Sequence, residues 1–324
     1  MQRRTLGQGM VGLTLGLLSP ARPRAEETWP VRTVRLIVPQ APGSPIEIPT
    51  RIVADHLTRR LGATFIVESR AGAGGGIGSQ YVAQQPPDGA TFLATSAGIS
   101  IIPTLQPALS FDPQRDLEPV SLMCDVPSGL LVRKESEFGS LPQLLAYAKT
   151  HSGELTYASG GVGSANHLAG ALFCALAGVQ MTHVPYRGVS QAVTAVYSGD
   201  ISLIFGSTLE LLQHVRQGRA RLLGVTMPGR VPALPDVPAI AETVPGYAAP
   251  NWFCLLAPKG FPPALLSRLT AELAPLRDAQ ELQARMAEGA ATIRMDGPAP
   301  LAARLAEEVP KWRQLAAQAG IRPD

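Results

Sequence analysis

The stretch Leu155–Leu168, LTYASGGVGSANHL, decides the fold. Its first residues, Leu155-Thr156-Tyr157-Ala158, read as a short buried strand. Ser159, Gly160, Gly161 and Gly163 then turn the chain. Ser164-Ala165-Asn166 reads as the opening of a helix that runs on through His167 to Phe173. A strand, a glycine turn and a helix start bearing hydroxyls make a cradle for an anion. The first amides of a helix have no internal acceptor, and the helix dipole places partial positive charge beside them. Such a cradle holds a carboxylate or phosphate without Lys or Arg. The same pattern also closes the loops of ordinary α/β domains, so alone it fixes no ligand.

The pattern recurs along the chain. Thr33–Val38 is a β-branched run stopped by Pro39, and Pro49–Leu61 has apolar residues at helical spacing. Ala63–Glu68 reads as the next strand, followed by a glycine-rich turn, Gly72–Gly78, a helix through Tyr81 and Val82, and a strand at Thr91–Thr95. In the second half, strands are expected at Leu155–Ala158, Met181–Pro185, Ile201–Phe205 and Leu222–Thr226. Helices are expected near His167–Leu176, Gln191–Ser198 and Leu209–Gln217. Alternation of this kind argues for parallel sheets covered by helices. Two longer apolar runs, Pro119–Arg133 and Asn251–Pro258, stand between the groups and read as segments crossing between two lobes. Helices Pro263–Arg277, Ala279–Glu288 and Pro298–Ala319 end the chain. The expected organisation is lobe one at 30–123 plus 254–324 and lobe two at 124–253. The cleft between them receives the carboxyl ends of strands, where open α/β sheets bind ligands.

Residues 1–25 have the blocks of a signal peptide: Arg3 and Arg4, an apolar core from Met10 to Leu18, and small residues at Ser19-Pro20-Ala21 and Ala25. The core is too short to span a bilayer, which takes about 20 apolar residues. Arg3-Arg4-Thr5-Leu6 and the glycine-diluted core also fit the twin-arginine route. Cleavage would remove four arginines and no acid, leaving 24 basic against 25 acidic residues. The net charge then falls from +3 to −1, which leaves no electrostatic footprint for nucleic acid or anionic lipid. Cys124, Cys174 and Cys254 lack C-x-x-C spacing, so zinc and thioredoxin-like readings fail. Each sits in an apolar run and reads as a small core residue. No metal and no cofactor is expected.

Gly72–Gly78 invites a nucleotide-binding reading that fails on register. From Gly72 the last G-x-G-x-x-G position is Ile77, and from Gly74 it is Ser79. The run instead lets backbone approach closely. A serine hydrolase built on Ser164 with His167 or His183 lacks G-x-S-x-G and a third group to orient the base.

Many short motifs then fall in one order: Trp29-Pro30, Val38-Pro39 with Pro42-Gly43, Glu68-Ser69-Arg70-Ala71-Gly72, Pro87-Asp88-Gly89, and Phe111-Asp112-Pro113. After them come Tyr157-Ala158-Ser159, Gly163-Ser164, His167-Leu168-Ala169, His183-Val184-Pro185-Tyr186-Arg187-Gly188, Leu234-Pro235-Asp236-Val237-Pro238, and Trp252-Phe253 with Leu256-Ala257-Pro258. On these motifs the chain resembles the solute receptors of tripartite tricarboxylate transporters, the Bug-type periplasmic binding proteins. The resemblance implies a type II periplasmic-binding fold, a hinged cleft, no catalysis, a periplasmic location, and docking of a monomeric receptor to membrane permease subunits.

It also implies a ligand carboxylate held between two loops, Pro42-Gly43-Ser44 and Gly161-Val162-Gly163-Ser164, with Thr95-Ser96-Ala97 and the strand end at Phe205 lining the same cleft. The candidate ligand-binding set is Gly43, Ser44, Ser96, Ser159, Gly161, Gly163, Ser164, Gly206 and Ser207. The first loop departs from the family pattern in carrying Pro45 and Glu47, and Gly206-Ser207 replaces the more usual Asp-Asn. Glu47 reads as a helix-start charge, His167 and His183 as structural histidines. Tyr186 edges the cleft, and Arg187 is either a carboxylate clamp or a surface residue. The carboxylate itself stays open: dicarboxylates, tricarboxylates, aromatic and nicotinate-like acids all fit.

Overall fold

The computed structural model describes residues 29–318 except Pro107, Ser110 and Arg187. The expected signal peptide and the candidate clamp Arg187 therefore lie outside the described residues.

Eleven strands form among these residues: β1 (Thr33–Val38), β2 (Thr64–Ser69), β3 (Thr91–Ser96), β4 (Leu117–Val126), β5 (Ser128–Arg133), β6 (Thr156–Ser159), β7 (Thr182–Pro185), β8 (Leu203–Ser207), β9 (Ala220–Val225), β10 (Asn251–Pro258) and β11 (Thr292–Asp296). They build two sheets, in the orders β11-β4-β10-β3-β1-β2 and β7-β6-β8-β5-β9. The alternation of strand and helix signals carries through, with most boundaries within two residues of expectation. The strand β11 and the helix Leu141–Thr150 were not among the elements expected.

The sheets are mixed rather than wholly parallel. β1 pairs in parallel with β2 and β3, and β6 with β7 and β8. β10 runs antiparallel to β3 and β4, and β5 antiparallel to β8 and β9. The reason is the crossing itself. β4 leaves the first sheet at Val126, and after Pro127 β5 enters the second at Ser128; β9 leaves the second, and β10 enters the first at Asn251. A strand arriving from the other sheet starts at the edge where the parallel strands end, so it must run against them.

Both sheets are covered on both faces, as parallel strands require. Side chains alternate across a strand, and in β1 Val34, Leu36 and Val38 join one apolar cluster while Ile37 joins another. In β8, Leu203 and Phe205 belong to one cluster and Ile204 to the opposite one. Trp29 anchors the first cluster against Phe65, Phe92 and Phe261, and its Nε1 donates to Gly89 O at 2.9 Å. The helix Pro298–Gln318 serves both halves. Leu301 and Leu305 pack with the first sheet's Trp252 and Leu256, whereas Trp312 and Ala316 pack with Phe173 and Phe205. All three cysteines are unbridged; Cys124 and Cys254 are buried and Cys174 is partly so. Among the described residues no helix is long and apolar enough to cross a membrane.

The glycine run has a packing reason. The helix Gly76–Ala83 lies against the ends of β1 and β2, and a Cβ on Gly78 would stand 2.7 Å from Arg70 O and 2.9 Å from Pro39 Cβ. Replacing Gly78 with Ala is therefore expected to destabilise the fold by about 1–3 kcal/mol through overpacking, read as a lower urea midpoint at unchanged slope.

Candidate functional site

A cavity of about 960 Å³ lies between the sheets. The residues that follow β1, β2, β3, β6 and β7 line it, as does the end of β8. The entry points of the crossing strands, Ser128 and Asn251, close its floor together with Ala249 and Pro250. The carboxyl ends of all six parallel strands thus face one hollow, which is where βα units leave the starts of their helices.

Five helix starts stand at this wall. Ser44 and Pro45 precede the helix Glu47–Leu61, and Gly75 caps Gly76–Ala83. Ser164 caps Ala165–Ala177, Gly188 caps Val189–Ser198, and Ser207 caps Thr208–Arg216. Among the described lining residues there is no lysine or arginine, and Glu210 alone carries a formal charge.

The turn that opened the sequence reading takes the expected form. Ser164 Oγ donates to Gly161 O at 2.7 Å and accepts from His167 N–H at 3.3 Å, a side-chain N-cap. Gly161 and Gly163 have φ of 123° and 80°, which favour glycine. Asn166 Nδ2 donates to Phe205 O at 2.6 Å, tying the helix start to β8. The opposing loops touch: a Cβ on Gly74 would lie 2.7 Å from Val162 O, and one on Gly188 would lie 3.4 Å from Ala41 Cβ.

Of the nine candidate residues, Ser44, Ser96, Gly161, Ser164, Gly206 and Ser207 line the cavity together. Gly43, Ser159 and Gly163 are not among its lining residues. Their polar groups are engaged elsewhere: Gly43 N–H donates to Glu47 Oε1 at 3.2 Å and Gly163 N–H to His167 Nδ1 at 3.3 Å. Ser159 Oγ accepts from Gly161 N–H at 3.1 Å and pairs with His183 Nε2 at 2.7 Å.

His167 and His183 stack with ring centroids 4.0 Å apart, behind the turn. Burial, helped by the neighbouring His167, pushes His183 down to about 4. Glu47 is buried but does not line the cavity. Burial works against its ionisation, yet hydrogen bonds from Arg51 (2.6 Å), Ser69 (2.8 Å) and Gly43, with the Arg51 charge, outweigh burial and hold its pKa below the usual value.

Several wall residues carried no sequence signal as ligand contacts: Gln40, whose Nε2 donates to Ser96 Oγ at 3.2 Å, Gln106, Asn251 and Trp312. Glu210 carried only a helix-start signal, the S-x-x-E spacing Ser207-Thr208-Leu209-Glu210. Four of the eight buried side-chain polar atoms left without a partner among the described residues belong to this wall: Ser44 Oγ, Gln106 Oε1, Ser207 Oγ and Glu210 Oε2. Buried polar atoms are nearly always paired, so their concentration here marks a place built for an occupant or for ordered water.

Burial lifts Glu210 to about 7, with the Ser190 hydroxyl opposing it. The folded protein then binds more protons than the unfolded chain between about pH 4.5 and 7, so this carboxyl's contribution to stability declines as pH rises through that window. His183, depressed to about 4, acts with the opposite sign between about 4 and 6.5. Glu210→Gln is therefore expected to gain stability over the native protein progressively from pH 5 to 7, by about 1–3 kcal/mol at the top, measured by urea unfolding of both across pH. A difference independent of pH would contradict the assignment.

Comparison with known proteins places this geometry. Residues 50–320 match the family model described as the tripartite tricarboxylate transporter family receptor. The solved periplasmic binding protein BugD is 31% identical, covers 91% of this chain and all of its own, and superposes with a TM-score of 0.85. An R. palustris protein solved with adipate is 32% identical over 91% of this chain and all of its own, at a TM-score of 0.86. MatC from Rhodopseudomonas palustris, solved with bound malate, is 29% identical over 88% of this chain and 99% of its own, at a TM-score of 0.83. The mixed two-sheet architecture is that of the Bug-type periplasmic binding proteins, and the chain belongs to the tripartite tricarboxylate transporter receptor family.

Proposed function

We propose that this protein is an extracytoplasmic receptor that closes on a small carboxylate in the cavity between its sheets and passes it, chemically unchanged, to a tripartite tricarboxylate-type permease. The observation that carries the reading is the convergence of five helix starts on a cavity whose described wall has no basic side chain. Partial positive charge from helix starts favours an anion of modest charge and releases it without breaking a tight ion pair. The adipate and malate held by the two R. palustris relatives support the ligand class.

Ser44, Ser96, Gly161, Ser164, Gly206 and Ser207 make the contacts in this reading, while Gly43, Ser159 and Gly163 shape the turns behind them. In this reading the two lobes, 30–123 plus 254–324 and 124–253, close about the crossing strands as a hinge, their boundaries falling within β4 and β10 of the first sheet. The chain acts as a monomer after export through its leader at 1–25, with the twin-arginine pair at Arg3-Arg4 as the routing signal. The occupied hydroxyl of Ser164 and the low basicity of His183 speak for binding without catalysis. Micromolar affinity needs only about 8 kcal/mol.

A thermal-shift screen tests the ligand class. Some carboxylate should raise the unfolding midpoint, by about 2.7 kcal/mol of stabilisation at a hundredfold excess over Kd, and be recovered intact. Shifts by neutral or cationic compounds alone would sink the carboxylate reading. Ser164→Ala should weaken binding roughly tenfold, and, because the hydroxyl also caps the helix, cost about 1 kcal/mol of stability. Unchanged affinity would move the site elsewhere.

A further inference from the structure

The carboxylate reading leaves Ser207 and Glu210 in a puzzling state. Ser207-Thr208-Leu209-Glu210 has the spacing of a capping box, in which the N-cap hydroxyl accepts from the third helical amide and the N3 carboxylate accepts from the N-cap amide. Ser207 does occupy the N-cap of Thr208–Arg216, with φ −62° and ψ 134°, but it makes no side-chain cap bond. Among the described residues its Oγ and Glu210 Oε2 are both buried without a partner. Among the same residues Glu210 Oε1 has one long bond, from Ser190 Oγ at 3.3 Å. Leaving a cap unmade and a buried carboxylate oxygen without a protein partner both destabilise the free protein. The sequence supplies each residue with a partner in the other's turn, and the fold declines it at the wall of the cavity. Local rules broken in this way gather at functional sites.

Electrostatics says what would repair the defect. The rest of the described wall favours negative charge, yet Glu210 stands in it as an acid. A purely anionic occupant can accept from the Ser207 hydroxyl, but ionised Glu210 repels it and Oε2 stays unpaired. A donor on the occupant satisfies the carboxylate oxygen directly, and Glu210 already stands in the wall. We propose that Ser207 and Glu210 form a second subsite in the cavity that takes a hydrogen-bond-donating group, hydroxyl or ammonium, carried by the carboxylate solute. This rests on the carboxylate reading and narrows it to hydroxy or amino acids.

The surroundings leave that role free. Tyr197 is raised by burial, with Arg219 opposing and Glu210 adding to the rise. His214, one turn along the same helix, lies tilted against Tyr197 with ring centroids 4.9 Å apart and is lowered by burial and Arg219. None of these groups donates to Glu210 Oε2. Burial lifts Glu210 to about 7, so part of it is protonated near neutrality and pairing with an ammonium releases protons.

Titration calorimetry of the purified protein tests this with unbranched acids of several chain lengths ending in methyl, hydroxyl or ammonium, and with their 2-hydroxy and 2-amino counterparts. At least one donor-bearing acid should bind about tenfold or more tightly than its methyl-ended match. Glu210→Gln should erase most of the ammonium preference, and Glu210→Met should erase the hydroxyl preference as well. Near pH 7, binding of the ammonium acid should release protons, seen as buffer-dependent heat, and none in Glu210→Gln. Acids that bind with no donor preference, or a preference that survives Glu210→Met, would overturn the subsite while leaving the carboxylate reading intact. No binding by any acid would overturn both.

Discussion

The first amides of a helix need an acceptor, and in this protein five helices start at the wall of one cavity. Everything else in the structure conforms to that arrangement. A single helix start is a weak anion site. Five around one hollow, with no described basic side chain to compete, set a field that favours negative charge without fixing its exact position. Hydroxyls and amides at the turns then supply direction. Ser164 shows the economy of this: one hydroxyl caps its helix, braces Gly161 and faces the cavity.

The arrangement needs two sheets whose parallel strands end at a common place. The crossing strands make this possible. Because β5 and β10 each enter a sheet from the cavity edge, they run against the parallel strands and sit beside them, β5 against β8 and β10 against β3. The wall is therefore continuous with the crossing strands: Ser128 and Asn251 belong to both. The C-terminal helix adds a third tie. It buries Leu301 and Leu305 with one sheet and Trp312 with the other, and Trp312 also lines the cavity. Its Arg304 pairs with Asp125 near the end of β4, so the strand leaving the first sheet is held at the crossing point.

Much of this was legible in the chain. The β-branched runs, glycine turns and helix starts placed most strands and helices, because each is decided within a few residues by backbone preference. The Gly161–Ser164 turn was read as a cradle from its order of residue types, and it forms one. Other features were silent. β11 has little apolar character of its own, and Ile293 joins the sheet by packing on what β4 and the neighbouring helices bring. The mixed direction of the sheets follows from where the crossings enter, which no local pattern records. Ser159 looked like a cavity residue and instead pairs with His183 across β6 and β7, a contact set by strand register. Glu47 read as a helix-start charge, and Arg51, Ser69 and Gly43 hold it ionised there, away from the cavity.

By itself, the sequence determined the repeated strand–turn–helix units, the two crossing segments, the family, and the Gly-Ser turn. These rest on short-range physics: propensity, capping and the freedom of glycine. Only the tertiary structure decided which helix starts share a wall, which serines face it and which are spent on neighbours, and that Ser207 and Glu210 forgo their cap. Those outcomes depend on atoms brought together from residues 40 to 312, and a chain read in order holds no distance between them.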